Sequence, residues 1–335
     1  MTAIASTGSR KKSASGWLQP EPLQTATQRV AVTGGTGFIG RALCARLRAD
    51  GYPVRALVRN ITLAADLAES GVTLVPGDLD DGDALRVLLD DCDVVIHLAG
   101  AVRGNSQQSF DRTNVRGTQN LLEALGTREK LPSLLLISSL AAREPGLSWY
   151  ARSKYQAEQC LHDGPADLDW AIIRPPAVYG PGDKEMLPVF LWMARGIAPV
   201  PGDPAARVSL IHVEDLASAI VACLGLPRLQ HRTFTLDDGT PGGYDWDEMA
   251  TIAGGVWQRK VRLVQLPGLL LDVVARVNLA LSHALAYAPM LTPAKLRELR
   301  HPNWVADNED ITAATGWRPR VRLSKGLEEL RDSLI

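Results

Sequence analysis

The amino-acid sequence predicts an α/β protein with a doubly wound parallel sheet and a smaller, mostly helical C-terminal lobe. Two observations lead to this prediction. Between residues 29 and 174, six short apolar runs alternate with segments of helical spacing, as in folds whose parallel strands are joined by helices. The runs are continuously apolar, which is typical of strands that are covered on both faces of the sheet.

The predicted elements follow one another along the first half of the chain. Strands are expected at residues 30–33, 54–58, 72–75, 94–98, 134–137 and 170–173. Helices are expected at residues 38–50, 63–70, 84–89, 115–125 and 150–161. Each helix carries apolar side chains three and four residues apart, so one face of it can pack against the sheet.

The alternation of strands and helices ends after Arg174. Proline and glycine are frequent from 175 to 204, and helical spacing then dominates at 213–224, 246–253 and about 267–288. We therefore expect a mobile tail at 1–28, a nucleotide-binding core at 29–182 and a substrate lobe at 183–335 that returns elements to the sheet. The tail contains no apolar run of the length that a signal peptide needs.

The composition excludes several classes of protein. Lysine and arginine total 36 and aspartate and glutamate total 37, which gives a formal net charge of −1. A nucleic-acid-binding protein usually has a basic excess, so we expect no nucleic-acid partner. The four cysteines are far apart in sequence and form no CxxC pair, so we expect neither disulfides nor a metal site. Reduced thiols are typical of a cytoplasmic protein.

An apolar region near the C-terminus could involve a membrane. No Asp, Glu, Lys or Arg occurs from Val277 to Ala294, but the stretch contains Asn278 and Pro289. A spanning helix needs about 20 mostly apolar residues, so we do not expect a span. We expect an apolar helix that lines a pocket, with peripheral contact to a membrane surface as the alternative.

A glycine-rich turn joins the first predicted strand to the first predicted helix. Gly34, Gly37 and Gly40 recur at three-residue spacing within TGGTGFIG. The first glycine permits a tight turn, the second lets a pyrophosphate approach the backbone, and the third lets the helix pack closely on the strand. The helix N-terminus then offers N–H groups to phosphate oxygens. We predict a dinucleotide site that includes Gly34, Thr36, Gly37, Phe38, Ile39 and Gly40.

The end of the second predicted strand indicates which dinucleotide is bound. An acidic residue is usual there when the cofactor lacks a 2′-phosphate, whereas this chain has Arg59. A guanidinium group can pair with a 2′-phosphate, so we expect NADP(H) rather than NAD(H), with a solvated surface arginine as the alternative. Asp78 and Leu79 follow the third strand, where the carboxylate could accept from the adenine amino group or could simply belong to an exposed loop.

A tyrosine and a lysine share one face of the helix after the fifth strand. Tyr150 and Lys154 are four residues apart, and so are neighbours on that face. A nearby ammonium lowers a phenol pKa, so Tyr150 could exchange a proton with a carbonyl or alcohol oxygen. The fifth strand ends in Ser138 and Ser139, either of which could donate to that oxygen or cap the strand end.

These motifs together resemble the extended short-chain dehydrogenase/reductase superfamily, whose core is a Rossmann fold. The resemblance covers about residues 29–335 and is strongest up to Gly182. The matching segments are the glycine turn, HLAGA at 97–101, NVRGT at 114–118, the Ser139, Tyr150 and Lys154 triad, RPPAVYGPG at 174–182 and HVEDLA at 212–217.

The resemblance implies roles for further residues. Ser139 would donate to the reacting oxygen, with Ser138 as the substitute serine, and Asn114 would hold a water that leads from Lys154 unless it caps a helix. The residues that it places beside the cofactor are Leu98, Ala99, Gly100, Tyr150, Lys154, Pro175 and Val178. Ser139 and Tyr150 are only 11 residues apart, which is short for the sugar-nucleotide epimerases of this group.

We therefore predict an NADP(H)-dependent oxidoreductase that interconverts a carbonyl and an alcohol on a small molecule. Leucine and valine are frequent from 263 to 281 and no run of basic residues fits a diphosphate. This composition favours an apolar, lipid-like substrate, although an ordinary core would have it too. The alternatives are a nucleotide-sugar epimerase or dehydratase that retains NAD(P), and a non-catalytic nucleotide-binding assembly subunit. A homodimer in the cytoplasm, with contact to a membrane surface as an option, is expected.

Overall fold

The computed structural model describes residues 28–285 and 287–333, and the predicted tail lies outside this part except for Gln28. The strands of the described residues are numbered in chain order. They are β1 Val30–Thr33, β2 Val54–Val58, β3 Thr73–Pro76, β4 Val94–His97, β5 Ser133–Ile137, β6 Trp170–Arg174, β7 Ala177–Tyr179, β8 Ile197–Val200, β9 Arg207–Val208, β10 Leu210–His212, β11 Arg232–Thr235, β12 Arg262–Gln265 and β13 Asn303–Trp304.

The helices are numbered in the same way. They are α1 Phe38–Ala49, α2 Ala65–Glu69, α3 Gly82–Leu89, α4 Gln107–Asp111, α5 Gly117–Gly126, α6 Trp149–His162, α7 Leu187–Ala194, α8 Val213–Leu224, α9 Trp246–Val256, α10 Gly268–Leu285, α11 Pro293–Leu299, α12 Glu309–Thr315 and α13 Leu323–Ser333. Single 3₁₀ turns occupy Thr62–Ala64 and Leu140–Arg143, and a π-helical turn occupies Arg112–Arg116.

Seven parallel strands form one sheet in the order β11–β6–β5–β4–β1–β2–β3. The order reverses between β1 and β4, since the chain moves outward through β2 and β3 and then returns to the other side of β1. Such a reversal leaves a crevice beyond the carboxyl ends of the two central strands, which is where open α/β sheets bind ligands. The predicted doubly wound parallel sheet is confirmed.

Both faces of the sheet are covered by apolar helices. Leu43 and Leu47 of α1 and Ile220 of α8 pack on one face. Leu88 of α3 and Leu125 of α5 pack on the other. This double cover explains why the central strands are continuously apolar in sequence, and the six predicted strands match β1 to β6 within one residue at each end.

The C-terminal lobe is mostly helical, as predicted, but the chain also returns to the sheet from it. Strand β11 pairs with β6 at the sheet edge, and α8 packs against α1. The lobe has its own apolar core, which includes Phe190 and Met193 of α7 with Ala250 of α9. The parallel pair of β7 with β10 joins it to the rest of the fold, and two further parallel pairs, β8 with β12 and β9 with β13, lie within the lobe.

Candidate active site

The glycine turn between β1 and α1 packs so closely against its neighbours that side chains at Gly34 and Gly40 would not fit. Gly34 has φ +76, and a Cβ there would lie 2.6 Å from the amide nitrogen of Ala99. A Cβ on Gly40 would lie 2.2 Å from the carbonyl oxygen of Gly34. The turn is therefore pressed against the end of β4 on one side and against α1 on the other.

The N-terminus of α1 presents N–H groups with no side-chain cap. Gly37 is the residue before the helix, and it provides no side chain to accept from the first turn. A Cβ on Gly37 would meet only the Gly34 carbonyl oxygen, at 3.3 Å. The backbone at Gly37, Phe38 and Ile39 thus has the donors and the room that a phosphate needs. Thr36 lies in the same turn, and its carbonyl oxygen accepts from the Arg41 side chain at 3.1 Å.

A buried histidine joins the ends of the two central strands. His97 Nδ1 lies 2.6 Å from Thr33 Oγ1, and its Nε2 lies 3.0 Å from Thr118 Oγ1. Burial lowers the pKa of His97 to about 3, with a further contribution from the Lys154 ammonium. The imidazole is therefore neutral at physiological pH. The Thr33 hydroxyl also accepts from the amide of Ala99 at 3.3 Å, which fixes the predicted cofactor wall at Leu98, Ala99 and Gly100.

The residues predicted at the adenosine end lie on the surface. Arg59 is exposed, and its side chain makes no ion pair among the described residues. Asp78 is also exposed and accepts from the amide of Asp80 at 2.9 Å within its own loop. Leu79 is half-buried and its carbonyl accepts from the Asn120 side chain at 2.8 Å. The guanidinium of Arg59 is thus available to a ligand, whereas the Asp78 carboxylate already has a partner.

Lys154 is buried beneath the ends of β4 and β5. Its Nζ donates to the carbonyl oxygen of Ile137 at 2.8 Å. Burial lowers the pKa of Lys154 to about 8, and the neighbouring Glu158 carboxylate opposes that shift. A Cβ on Gly100 would lie 3.3 Å from Nζ, so the ammonium group comes close to the predicted cofactor wall.

Asn114 lies within the π-helical turn and does not cap a helix. Its Nδ2 donates to the Ala101 carbonyl oxygen at 3.1 Å and to Ser153 Oγ at 2.8 Å, while Oδ1 accepts from the Ala101 amide at 2.7 Å. Both amide protons are therefore used, and only Oδ1 retains a free lone pair. A Cβ on Gly100 would lie 3.2 Å from Oδ1 and 3.3 Å from Lys154 Nζ. The alternative that Asn114 is a helix cap is wrong, and the water relay stays a prediction.

The two serines at the end of β5 have different partners. Ser138 Oγ donates to Glu158 at 2.5 Å, and Arg174 pairs with the same carboxylate. Ser139 Oγ accepts from the Ala141 amide at 3.2 Å, and the Ser139 side chain also acts to lower the pKa of the Tyr150 phenol. Ser138 therefore belongs to a buried ion-pair network, whereas Ser139 combines the predicted strand-end cap with contact to the tyrosine.

The pKa of Tyr150 moves in the opposite direction from the prediction. Burial raises it to about 12, the hydrogen bond with Ser139 opposes the rise, and the Glu298 carboxylate adds to it. The predicted lowering by Lys154 is wrong, because burial of the Tyr150 phenol has the larger effect on its pKa. Tyr150 is thus held as a neutral phenol, the form that donates a proton.

The predicted residues after β6 lie beside this group. Pro175 is buried, and its carbonyl accepts from the Leu140 amide at 2.8 Å. Val178 is half-buried in β7 and is paired with Ile211 of β10. The segment thus connects the serine turn after β5 to the lobe.

A small pocket over Tyr150 is formed by both parts of the chain. Its lining residues are Val102, Gly104, Phe110, Ser148, Trp149, Tyr150, Pro289, Met290, Thr292, Ala294, Lys295 and Glu298. The Phe110 and Tyr150 rings lie 6.2 Å apart, and Lys295 Nζ lies 5.6 Å from the centre of the tyrosine ring. Glu298 accepts from Ser148 Oγ at 2.8 Å and pairs with Lys295.

The residues of this pocket that follow α10 were not predicted as site residues. Pro289 and Lys295 are more than 130 positions from Tyr150 in sequence, and no local motif marks them. Among the described residues, no group of three or more His, Cys, Asp and Glu side chains could hold a metal ion. The site therefore consists of a crevice beyond the strand ends, the Tyr150 phenol and a small pocket lined by both apolar and polar side chains.

Removal of the Glu298 charge is expected to lower the pH at which the Tyr150 phenol ionises. Glu298 raises the pKa of Tyr150, so in Glu298→Gln that pKa falls and the phenol ionises at lower pH. The alkaline limb of a reduction pH–rate profile should move to lower pH, with the acidic side unchanged. Glu144→Gln serves as a control, since Glu144 is half-buried and does not contribute to the pKa of Tyr150. An alkaline limb that stays in place would show that Glu298 does not act on the tyrosine.

Comparison with known proteins agrees with this geometry. The model of the NAD dependent epimerase/dehydratase family matches residues 30–234, which is more than half of the chain and includes β1, the glycine turn and Tyr150. This chain belongs to that family. As predicted from its motifs, the protein is an NAD(P)-dependent enzyme of the extended short-chain dehydrogenase/reductase type.

Two curated relatives extend over most of the chain. It is 38% identical to a ceramide reductase of Caulobacter vibrioides over 82% of its own length and 85% of that protein. It is 27% identical to a 2-alkyl-3-oxoalkanoate reductase of Stenotrophomonas maltophilia, over 91% and 99%. Among solved structures, UDP-glucuronic acid 4-epimerase from Bacillus cereus matches with a TM-score of 0.70 and 22% identity, over 91% and 98%. At 22% identity, the match to the epimerase structure shows a shared fold and nothing about the reaction.

Proposed function

We propose that the protein is an NADP(H)-dependent reductase that converts a ketone on an apolar, long-chain molecule to an alcohol. The observation that carries the proposal is the position of Tyr150, which lines a small pocket together with apolar residues such as Phe110 and Met290. This arrangement supplies a proton donor where a carbonyl oxygen would lie.

The chain's own residues account for the proton transfer. NADPH, when bound in the crevice, supplies a hydride to the carbonyl carbon. Tyr150 donates its proton to the carbonyl oxygen as the carbon–oxygen double bond becomes single, and Ser139 donates a hydrogen bond to that oxygen. The resulting tyrosinate is a strong base, because burial raises the pKa of the Tyr150 phenol to about 12. A proton from solvent then restores the phenol.

Five residues of the pocket lining support an apolar substrate. Val102, Phe110, Pro289, Met290 and Ala294 contribute apolar surface beside Tyr150. The one ammonium in the lining, that of Lys295, is already paired with Glu298, so it is poorly placed to bind a diphosphate. The names of the two relatives described above, a ceramide reductase and a 2-alkyl-3-oxoalkanoate reductase, both refer to reduction and to molecules with alkyl chains.

The preference for NADP(H) is expected to depend on Arg59. In Arg59→Ala, NADPH affinity should fall by about ten- to a hundredfold, because a charged hydrogen bond contributes about 1.5–3 kcal/mol, while NADH affinity stays the same. Fluorescence titration of both cofactors measures the effect. Arg86→Ala is the control, since Arg86 is exposed on α3 and, within the part of the chain that the structure describes, forms an ion pair only with Asp83. Equal affinity of the unchanged protein for NADPH and NADH would overturn the preference.

A panel of carbonyl substrates tests the reaction. Long-chain 3-oxo lipids, short-chain ketones and UDP-glucuronic acid are each incubated with NADPH, and both cofactor oxidation and product formation are followed. We expect oxidation of NADPH with the long-chain 3-oxo lipids alone. Turnover of the sugar nucleotide with a tightly retained cofactor and no net oxidation of NADPH would instead show an epimerase. Lack of turnover with every carbonyl, together with tight nucleotide binding, would support an assembly subunit.

A further inference from the structure

Helix α10 exposes its large apolar side chains and buries small ones, which is the reverse of what a helix in a soluble protein usually does. Its buried residues are Ala275 and Ser282, which are small, whereas its large apolar side chains face outward. The outward residues are Leu269, Leu270, Val273, Val274, Val277, Leu281 and Leu285, with exposed fractions from 44% for Val274 to 78% for Leu269. Two of the three sequence-based hypotheses, a pocket-lining helix and an ordinary core, are wrong for this helix, and the third is contact with a membrane surface. Only the segment after it lines the pocket.

The polar side chains of α10 hold its inner side to the protein. Asp272 pairs with Arg300 at 2.8 Å, and Asn278 Nδ2 donates to the Leu291 carbonyl oxygen at 2.8 Å. The helix is therefore anchored by specific polar contacts while its apolar face stays uncovered. An exposed apolar face of this extent marks a surface that meets a partner or a membrane.

The fold shows that this helix lies on a surface and does not cross a bilayer. By length and composition α10 could span, with a mean hydropathy of 1.4 and 11% of it buried. However, the strand before it, β12, pairs with β8, and the helix after it, α11, reaches Ser148 through Glu298. Both ends of α10 thus return to the same folded body, whereas a single span would place them on opposite sides.

Positive charge lies on the segment that carries this face. From residue 257 to 294 the basic side chains are Arg259, Lys260, Arg262 and Arg276, and Asp272 is the only acidic one. That aspartate is neutralised by Arg300. The four basic residues are exposed and form no ion pairs among the described residues. The whole chain is nearly neutral, so the excess of positive charge is local to this segment.

An aromatic side chain extends the surface. Trp192 of α7 is 46% exposed, and the Arg195 guanidinium lies 5.6 Å from its ring centre. The adjoining Gly196 lies against Lys260, because a Cβ there would be 3.1 Å from the lysine carbonyl oxygen. Tryptophan beside basic residues is typical of the interface between lipid headgroups and acyl chains.

From these observations we infer that α10 and the basic segment at 259–262 dock the protein on an anionic lipid bilayer surface. The apolar face enters the acyl boundary while the arginine and lysine side chains meet anionic headgroups. A second copy of this chain would bring the same positive charge and is a poorer complement. Pro289 and Met290, which line the pocket over Tyr150, follow α10 in the sequence, so the docked surface and the pocket belong to neighbouring parts of the chain.

Vesicle sedimentation tests the docking without any turnover, so its outcome is independent of the proposed reaction. The full chain is mixed with vesicles of phosphatidylcholine alone or with 30% phosphatidylglycerol, and bound protein is measured. We expect binding to the mixed vesicles, weaker binding to neutral ones, and release by high salt. Replacement of Arg259, Lys260 and Arg262 by serine should weaken binding by about fivefold for each charge removed.

A pair of matched variants isolates the apolar face. Val277→Glu and Val87→Glu each place a carboxylate on an exposed helix, at positions with 53% and 56% exposure. We expect the first to reduce vesicle binding at least about tenfold and the second to leave it unchanged, with both variants folded by circular dichroism. Equal binding of the two variants, or no binding by the wild type, would overturn the inference. Resistance of the bound protein to alkaline carbonate extraction would also overturn the inference, because it would indicate a spanning helix. A dimer that dissociates in Val277→Glu would overturn it too, because the apolar face would then bind a second copy of the chain.

Discussion

Tyr150→Phe is expected to bind NADPH with unchanged affinity while ketone reduction falls by about a thousandfold, within the range typical of general acid catalysis. The ring that packs near Phe110 stays in place, and only the proton donor is removed. The measurement pairs a cofactor titration with steady-state rates on a long-chain 3-oxo substrate. The result separates a chemical role of the hydroxyl from a structural role of the ring.

Two serine variants provide the control for this prediction. Ser139→Ala removes a side chain that contacts the Tyr150 phenol, so the rate should fall while the fold is retained. Ser138→Ala removes a donor to buried Glu158, so it should lower thermal stability more than it lowers the rate per folded molecule. A Tyr150→Phe protein that reduces ketones at the normal rate would show that the mechanism is wrong.

Gly40→Ala is expected to destabilise the protein by about 3 kcal/mol or more and to abolish nucleotide binding. The added Cβ would lie 2.2 Å from the Gly34 carbonyl oxygen and 2.7 Å from the Gly35 Cα. Neither backbone atom can move without separating the turn from α1. Urea denaturation measures the loss of stability, and NADPH fluorescence measures the loss of binding.

Gly37→Ala is the matched variant in the same turn. Gly37 has φ −75, which alanine adopts easily, and its Cβ would meet only the Gly34 carbonyl at 3.3 Å. We expect the free energy of unfolding to change by less than about 1 kcal/mol, while NADPH affinity falls at least about tenfold, or about 1.4 kcal/mol, because the methyl group lies at the helix N-terminus where a phosphate would bind. Wild-type NADPH affinity in Gly37→Ala would place the phosphates elsewhere.

The sheet could be predicted well because burial on both faces leaves a strong pattern. Strands β1 to β6 are short apolar runs, and all six were predicted. Strand β11 was not, because it lies at the sheet edge and only Phe234 of its four residues is buried. Its sequence, RTFT, has no apolar run, and its position depends on pairing with β6 rather than on local pattern.

The candidate site was predictable only where a local motif marks it. The glycine turn, Tyr150 and Lys154 lie on or beside strand ends and could be placed from spacing. Glu298 and Lys295 meet Tyr150 through the packing of α11 on the core, which no spacing reveals. The pKa of Tyr150 could not be predicted for the same reason, since its direction depends on burial and on Glu298 rather than on Lys154.

The sequence likewise could not predict which face of α10 is buried. Leucine and valine from 269 to 281 give the same pattern whether the helix faces a core, a pocket or the outside. Only the structure shows that Ala275 and Ser282 face inward and that the larger side chains do not.

The most direct test of the proposed function is the stoichiometry of one reaction. Purified protein is incubated with NADPH and a long-chain 3-oxo lipid, and the NADPH oxidised is compared with the alcohol formed. A reductase that uses Tyr150 as the acid forms one alcohol for each NADPH oxidised, and Tyr150→Phe forms almost none. Product formed without net oxidation of NADPH, or equal product from the Tyr150→Phe protein, would contradict the proposal.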